Sequence, residues 1–136
     1  MNKPNHVVLD LFICPRYLLN NKHSLSCYVS SLIHKLNLTA IGAPIFTEFP
    51  LKEVDKKFDG ENAYTITQVL GESLLSLHSY PEKSAIYIDL FACSSFDRDD
   101  FLNFSKCYFE SKKFSFQVIK RLSISPKQFC TDASQN

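Results

Sequence analysis

Residues 74–93 read LLSLHSYPEKSAIYIDLFAC. In the second half, Ile86, Ile88, Leu90 and Ala92 form one wholly apolar face, and Tyr87, Asp89, Phe91 and Cys93 form a mixed one. That alternation is the period of a strand with one face buried. In the first half, Leu74, Ser76, His78 and Tyr80 share a face. Pro81-Glu82-Lys83 interrupts the two runs as a turn. The spacing therefore predicts strands over 74–80 and 84–93. Just upstream, residues 64–70 read as another strand, separated from Leu74 by the break at Gly71. Three strands joined by hairpin-length links predict an antiparallel sheet.

Further outward, residues 6–14 alternate as an opening strand, with Val7, Leu9, Leu11 and Ile13 on its apolar side. Asn20, Asn21 and Ser24 offer helix-start chemistry, and Leu25, Tyr28, Val29, Leu32 and Leu36 follow at helical spacing. Residues 38–46 read as a second strand, and the polar stretch 47–60 as a long loop. Ser95 and Asp97 are positioned to cap a second helix whose first turn is acidic and whose stripe is Phe101, Phe104 and Tyr108. Residues 114–122 read as a last strand and 123–136 as a loose tail. The expected fold is α+β: a largely antiparallel sheet with two helices packed on one face, a two-layer sandwich. The opposite face mixes aromatics with Asp, His, Cys and Thr. It is too apolar for open water and too polar for a plain core, so it should be a site or be covered by another subunit.

The chain has 136 residues, which predicts a single domain over 1–136. Its 45% hydrophobic and 21% charged residues rule out wholesale disorder. A net charge of +1 gives no nucleic-acid footprint. No apolar run reaches the roughly 18–20 residues of a membrane helix. The first residues do not read as a signal peptide, and five cysteines without CxxC pairs predict a reduced, cytoplasmic setting. His6, His23 and His34 show no metal-ligand spacing with the cysteines, so no metal is expected. Lys112 and Lys113 read as an exposed helix end.

Chemistry concentrates in residues 71–93, where Ser73, His78 and Cys93 fall on neighbouring strands. By strand parity, His78 and Cys93 lie on the mixed faces. A serine beside a base points to nucleophilic chemistry, and a cysteine near a histidine to a proton donor or thiolate. Spacing alone does not choose between them, and each residue also suits a structural role.

The stretch GESLLSLHSYPEKSAIYIDLFAC resembles the core of the bacterial S-adenosylmethionine decarboxylase proenzymes, whose pattern is ES, four residues, HTWPE, about six residues, then D-x-F-x-C. Ser73, His78, Glu82 and Cys93 match that spacing, and the opening strand with His6, Asp10 and Cys14 falls in the expected order. The resemblance implies a self-processing enzyme that cuts the Glu72–Ser73 bond. A β chain (1–72) and an α chain (73–136) would result, with Ser73 converted to a covalent pyruvoyl group and no metal. It implies a Schiff base between that group and a small-molecule substrate, and decarboxylated S-adenosylmethionine as the product that feeds spermidine biosynthesis. Further implied roles are processing for His78 and Thr65, protonation of the substrate carbon for Cys93, ribose binding for Glu82 and adenine stacking for Phe58. Bacterial members form homo-oligomers of αβ protomers, so a dimer is expected, with no nucleic-acid or membrane partner.

Two departures stand out. The family's Thr-Trp is Ser79-Tyr80 here, and its Gly-Val-Ser/Thr-Gly is Ala63-Tyr64-Thr65-Ile66. Losing two glycines reshapes a cavity that backbone would otherwise approach closely. The alternatives are therefore a pyruvoyl-dependent decarboxylase of ornithine or arginine on the same scaffold, or a non-catalytic activating paralogue.

Overall fold

The computed structural model describes residues 5–121. Six strands form one sheet: β1 (Asn5–Phe12), β2 (Ile45–Pro50), β3 (Asn62–Leu70), β4 (Ser73–Tyr80), β5 (Ala85–Ala92) and β6 (Lys113–Lys120). Their order is β2-β3-β4-β5-β1-β6, with every neighbouring pair antiparallel. Strands that precede residue 72 therefore interleave across the sheet with strands that follow it. The helices are α1 (Arg16–Leu19), α2 (Lys22–Lys35) and α3 (Arg98–Tyr108).

The alternation in the sequence sets the layers. Val7, Leu9, Leu11, Leu75, Leu77, Ile86, Ile88 and Leu90 are fully buried in one cluster with Leu25, Tyr28 and Leu32 of α2 and Phe101 of α3. Each such side chain contributes about 1.5–3 kcal/mol on burial. A register slip by one residue would turn the whole set outward, so the pattern fixes the pairing. The two long helices share this face, as expected. Asn21 caps α2, its side chain accepting from the Ser24 N–H at 3.1 Å. Asp97, not Ser95, caps α3, accepting from the Asp100 N–H at 3.0 Å.

Two expectations need correction. Of residues 38–46, only Ile45 and Phe46 belong to a strand: Ala40 makes an isolated bridge to Leu70, and sheet pairing begins at Ile45. Gly42 sits at φ +75° and Pro44 has no N–H to offer, so both interrupt the ladder. Conversely, Thr47, Glu48 and Phe49 belong to β2 and not to a loop, although 3-10 turns at Leu51–Glu53 and Lys56–Phe58 do follow. An edge strand tolerates polar residues, which disguised it. The single turn of α1 has no signal in the sequence; it lacks a side-chain cap and is anchored by buried Leu19. The expected tail, 123–136, lies outside the described residues.

Among the described residues, no helix is long and apolar enough to cross a membrane. Among the described residues, the sheet face away from α2 and α3 carries no helix. Strand register lines up one row across it: Thr47, Thr65, His78, Tyr87, Asp10 and Ser115. This is the mixed face of the sequence.

Candidate functional site

Ser73 opens β4 directly after the two-residue turn Gly71-Glu72 that links it to β3. Its hydroxyl oxygen accepts a hydrogen bond from the Cys93 N–H at 3.1 Å. Register explains the meeting: Leu74 lies opposite Phe91, which brings the end of β5 beside the turn. Ser73 and Cys93 are both half-buried, shielded yet reachable. Glu72 has φ +54°, the left-handed region that favours glycine.

A second pair lies elsewhere on the sheet. Thr65 and His78 are directly opposite on β3 and β4, and Thr65 Oγ1 shares a hydrogen bond with His78 Nδ1 at 3.2 Å. Both line a cavity of about 370 Å³ with Glu82, Phe49, Tyr64 and Tyr80. Pro81 starts the 3-10 turn that carries Glu82 over the cavity wall. Glu82 Oε2 is buried and has no hydrogen-bond partner among the described residues. A buried carboxylate oxygen without a donor is costly, and a ligand bearing hydroxyls would satisfy it.

The sequence-predicted residues thus fall into two groups. Ser73 and Cys93 are together; Thr65, His78 and Glu82 are together. His78 is five residues along the strand from Ser73, about 16 Å at the strand rise. The two groups occupy opposite ends of the sheet.

Phe58 is buried in a satellite cluster with Leu51 and Ala63, its ring flanked by the Arg16 guanidinium at 5.4 Å and the Lys57 ammonium at 5.1 Å. It does not line the cavity. Phe49 does, and half of it is exposed. It is the aromatic that sequence reasoning missed. The available signal was an aromatic at 49 amid a polar stretch, obscured by the reading of 47–60 as loop. On the open face, Asp10 is held above the usual carboxylate range, chiefly by burial and secondly by the charge of Asp89. Cys14 is buried and its thiol is pushed up to about 11 by that burial, which keeps it protonated and inert. Among the described residues no group of three or more His, Cys, Asp and Glu is placed to hold a metal ion.

Fold and site define a two-layer α+β protein with a serine-bearing hairpin turn at one end of the sheet and a carboxylate-and-aromatic cavity at the other. The chain belongs to the S-adenosylmethionine decarboxylase family, whose sequence profile matches residues 5–122. It is 32% identical over 90 residues to S-adenosylmethionine decarboxylase proenzyme 2 of Bacillus cereus. That match covers 66% of this chain and 64% of the relative, so it spans less than two thirds of the relative's length. The crystal structure of the adenosylmethionine decarboxylase from Aquifex aeolicus VF5 shares the fold, with a TM-score of 0.73 at 16% identity over 92% of this chain and 95% of that one.

Proposed function

We propose that this chain is a self-processing, pyruvoyl-dependent decarboxylase of S-adenosylmethionine. The observation that carries the reading is the hairpin turn, where Ser73 Oγ is held by the Cys93 N–H immediately after the left-handed Glu72. Processing begins with attack of Ser73 Oγ on the Glu72 carbonyl carbon. The C–N bond to Ser73 breaks, and the hydroxyl proton ends on the freed nitrogen. Loss of the Ser73 Cα proton then expels the Glu72 carboxylate from Cβ, and water releases ammonia to leave a ketone at residue 73. The half-buried serine, with a backbone donor on its oxygen, fits that conversion. The pyruvoyl carbonyl supplies the electron sink for loss of carbon dioxide, which no ordinary side chain offers.

The chain's own residues divide the remaining work. Glu82 Oε2 accepts from the ribose hydroxyls, satisfying the orphaned carboxylate oxygen. The exposed face of Phe49 stacks on the adenine, with Phe58 packed behind the Leu51 and Ala63 wall, and the aromatic lining suits a sulfonium cation. Cys93 delivers a proton to the substrate carbon after carbon dioxide leaves. His78, oriented by Thr65, moves protons in processing. A basic amino acid would leave Phe49 without a base to stack against.

The ~16 Å between Ser73 and His78 is too long for a proton transfer within one chain. The uncovered mixed face supplies the remedy: two copies stack through it, and the Ser73 end of one meets the His78 end of the other. The working unit is then a dimer of αβ protomers.

Intact-mass spectrometry of the purified protein tests the core of this reading. Two fragments meeting between Glu72 and Ser73 are expected, the second with a blocked N-terminus, and Ser73→Ala should give one chain. A single uncut chain without the substitution would overturn it.

A further inference from the structure

Among the described residues, five that are not glycine have positive φ: Ile13, Asn37, Glu72, Ser84 and Glu110. Asn37 and Glu110 directly follow the C-caps of α2 and α3, where a left-handed residue closes a helix. Ser84 closes the 3-10 turn Pro81–Lys83. Ile13 lies just past the end of β1 and closes no helix. Nor does Glu72. It is the second residue of a two-residue hairpin turn, and such turns normally place Gly, Asn or Asp where φ is positive. Here the glycine stands one residue early. Gly71 has no positive φ, and a Cβ added there would meet only the Thr39 Cβ at 3.9 Å, an ordinary contact. Neither space nor backbone requires glycine at 71, while the residue that would benefit from it is Glu72.

The turn is held from both sides. On one side, the Gly71 N–H donates to Thr39 O at 2.9 Å, Ala40 bridges Leu70, and the Ile41 N–H donates to Val69 O at 2.9 Å. Residues 39–41 thus strap down the end of β3. On the other side, Ser73 pairs with Leu70 and its hydroxyl oxygen is fixed by the Cys93 N–H. The turn that holds Glu72 left-handed is thus braced on both sides while the chain is continuous.

Resting on the self-cleavage reading, we propose that the left-handed backbone of Glu72, clamped between the 39–41 strap and the Ser73–Cys93 contact, is a strain device that accelerates scission of the bond it precedes. Attack by Ser73 Oγ makes the Glu72 carbonyl carbon tetrahedral and ends the planarity of the 72–73 amide. Completion of the cut leaves Glu72 as a free end able to return to negative φ. Only the strain relieved as the amide leaves planarity lowers the barrier to attack; the rest is released when elimination frees Glu72. A left-handed non-glycine residue carries strain worth about fivefold to thirtyfold in a rate if fully released. Glu72 is here a positioning residue that acts through its backbone, with no part assigned to its carboxylate.

The test follows disappearance of the full-length chain after cell-free synthesis, for a set of substitutions at one position. Glu72→Gly and Glu72→Asn accept positive φ readily and should slow cleavage about fivefold to tenfold. Glu72→Gln and Glu72→Ala keep the left-handed strain and should cut faster than Glu72→Gly and Glu72→Asn. Gly71→Ala, which disturbs neither φ nor packing, should also cut normally. In a Ser73→Ala background, Glu72→Asn should raise Tm relative to Glu72→Gln, a gain in stability that opposes the loss in rate. Equal rates for Glu72→Gly and the unsubstituted chain overturn this inference alone. So does a Glu72→Gln chain as slow as Glu72→Gly, which would assign the effect to the carboxylate. A chain that never cuts overturns this inference and the self-cleavage reading together.

Discussion

Asp10 shows what single side chains on the open face cost this protein. It sits opposite Tyr87 on one side and Ser115 on the other, and its carboxyl is raised by burial and by Asp89. Folding therefore binds a proton between the ordinary carboxylate value of 3.8 and the raised one. The group's share of stability is complete below that window and lost as pH rises through it. Asp10→Asn should consequently stabilise the protein at pH 7 and change little at about pH 3.5, below the ordinary carboxylate value, read as urea midpoints at the two pH values. Equal shifts at both would remove the electrostatic explanation. At this scale the sequence was informative about identity and silent about position. Parity correctly assigned His78 and Cys93 to mixed faces, but periodicity says which side of a sheet a residue occupies, not how far along. The pairing of His78 with Tyr87 and of Leu74 with Phe91 sends the two residues to opposite ends.

The long helices meet around one buried side chain. Tyr28 of α2 is fully buried, and its hydroxyl meets Ser105 Oγ of α3 at 2.6 Å, while the ring packs against Phe104, Tyr108 and Phe109. Removing the phenolic oxygen leaves a buried serine without a partner, at a cost of about 1–2 kcal/mol. Tyr28→Phe should lower stability by that amount in urea titrations of the Ser73→Ala chain. Adding Ser105→Ala should recover part of the loss, because the orphaned hydroxyl is gone; no recovery would place the cost in packing. Helices α2 and α3 were legible because caps and stripes coincide: Asn21 and Asp97 stand where the apolar periodicity begins. The β3-β4-β5 run was legible for the same reason, in strand periodicity. Helix α1 has neither cap nor stripe, and its hold is tertiary. Asn20, just after it, donates to Glu61 at 2.7 Å, and Arg16 pairs with the same carboxylate at 3.1 Å. Such long-range anchors leave no local trace. Strand β2 was misplaced because its edge position removes the need for apolar alternation.

For the whole molecule, the separation of the two residue groups makes a discriminating prediction. Coexpress a Ser73→Ala chain with a His78→Ala chain under distinguishable tags. If sites form between copies, a mixed dimer joins the intact Ser73 of one chain to the intact His78 of the other. Only the His78→Ala chain should then be cut, and only in the mixture. Mixed dimers that stay uncut would return the site to a single chain. The order of strands carries a further consequence. Segment 1–72 supplies β1, β2 and β3, the remainder supplies β4, β5 and β6, and they meet at β3/β4, β5/β1 and β1/β6. If the chain is cut as proposed, the two pieces are woven through each other, and neither owns a complete core. Melting becomes a dissociation, so its midpoint should climb with protein concentration. Renaturation becomes a second-order encounter between partial sheets that must thread back together. Maturation would thus exchange a fold that re-forms unaided for one kept intact by the slowness of its own disassembly.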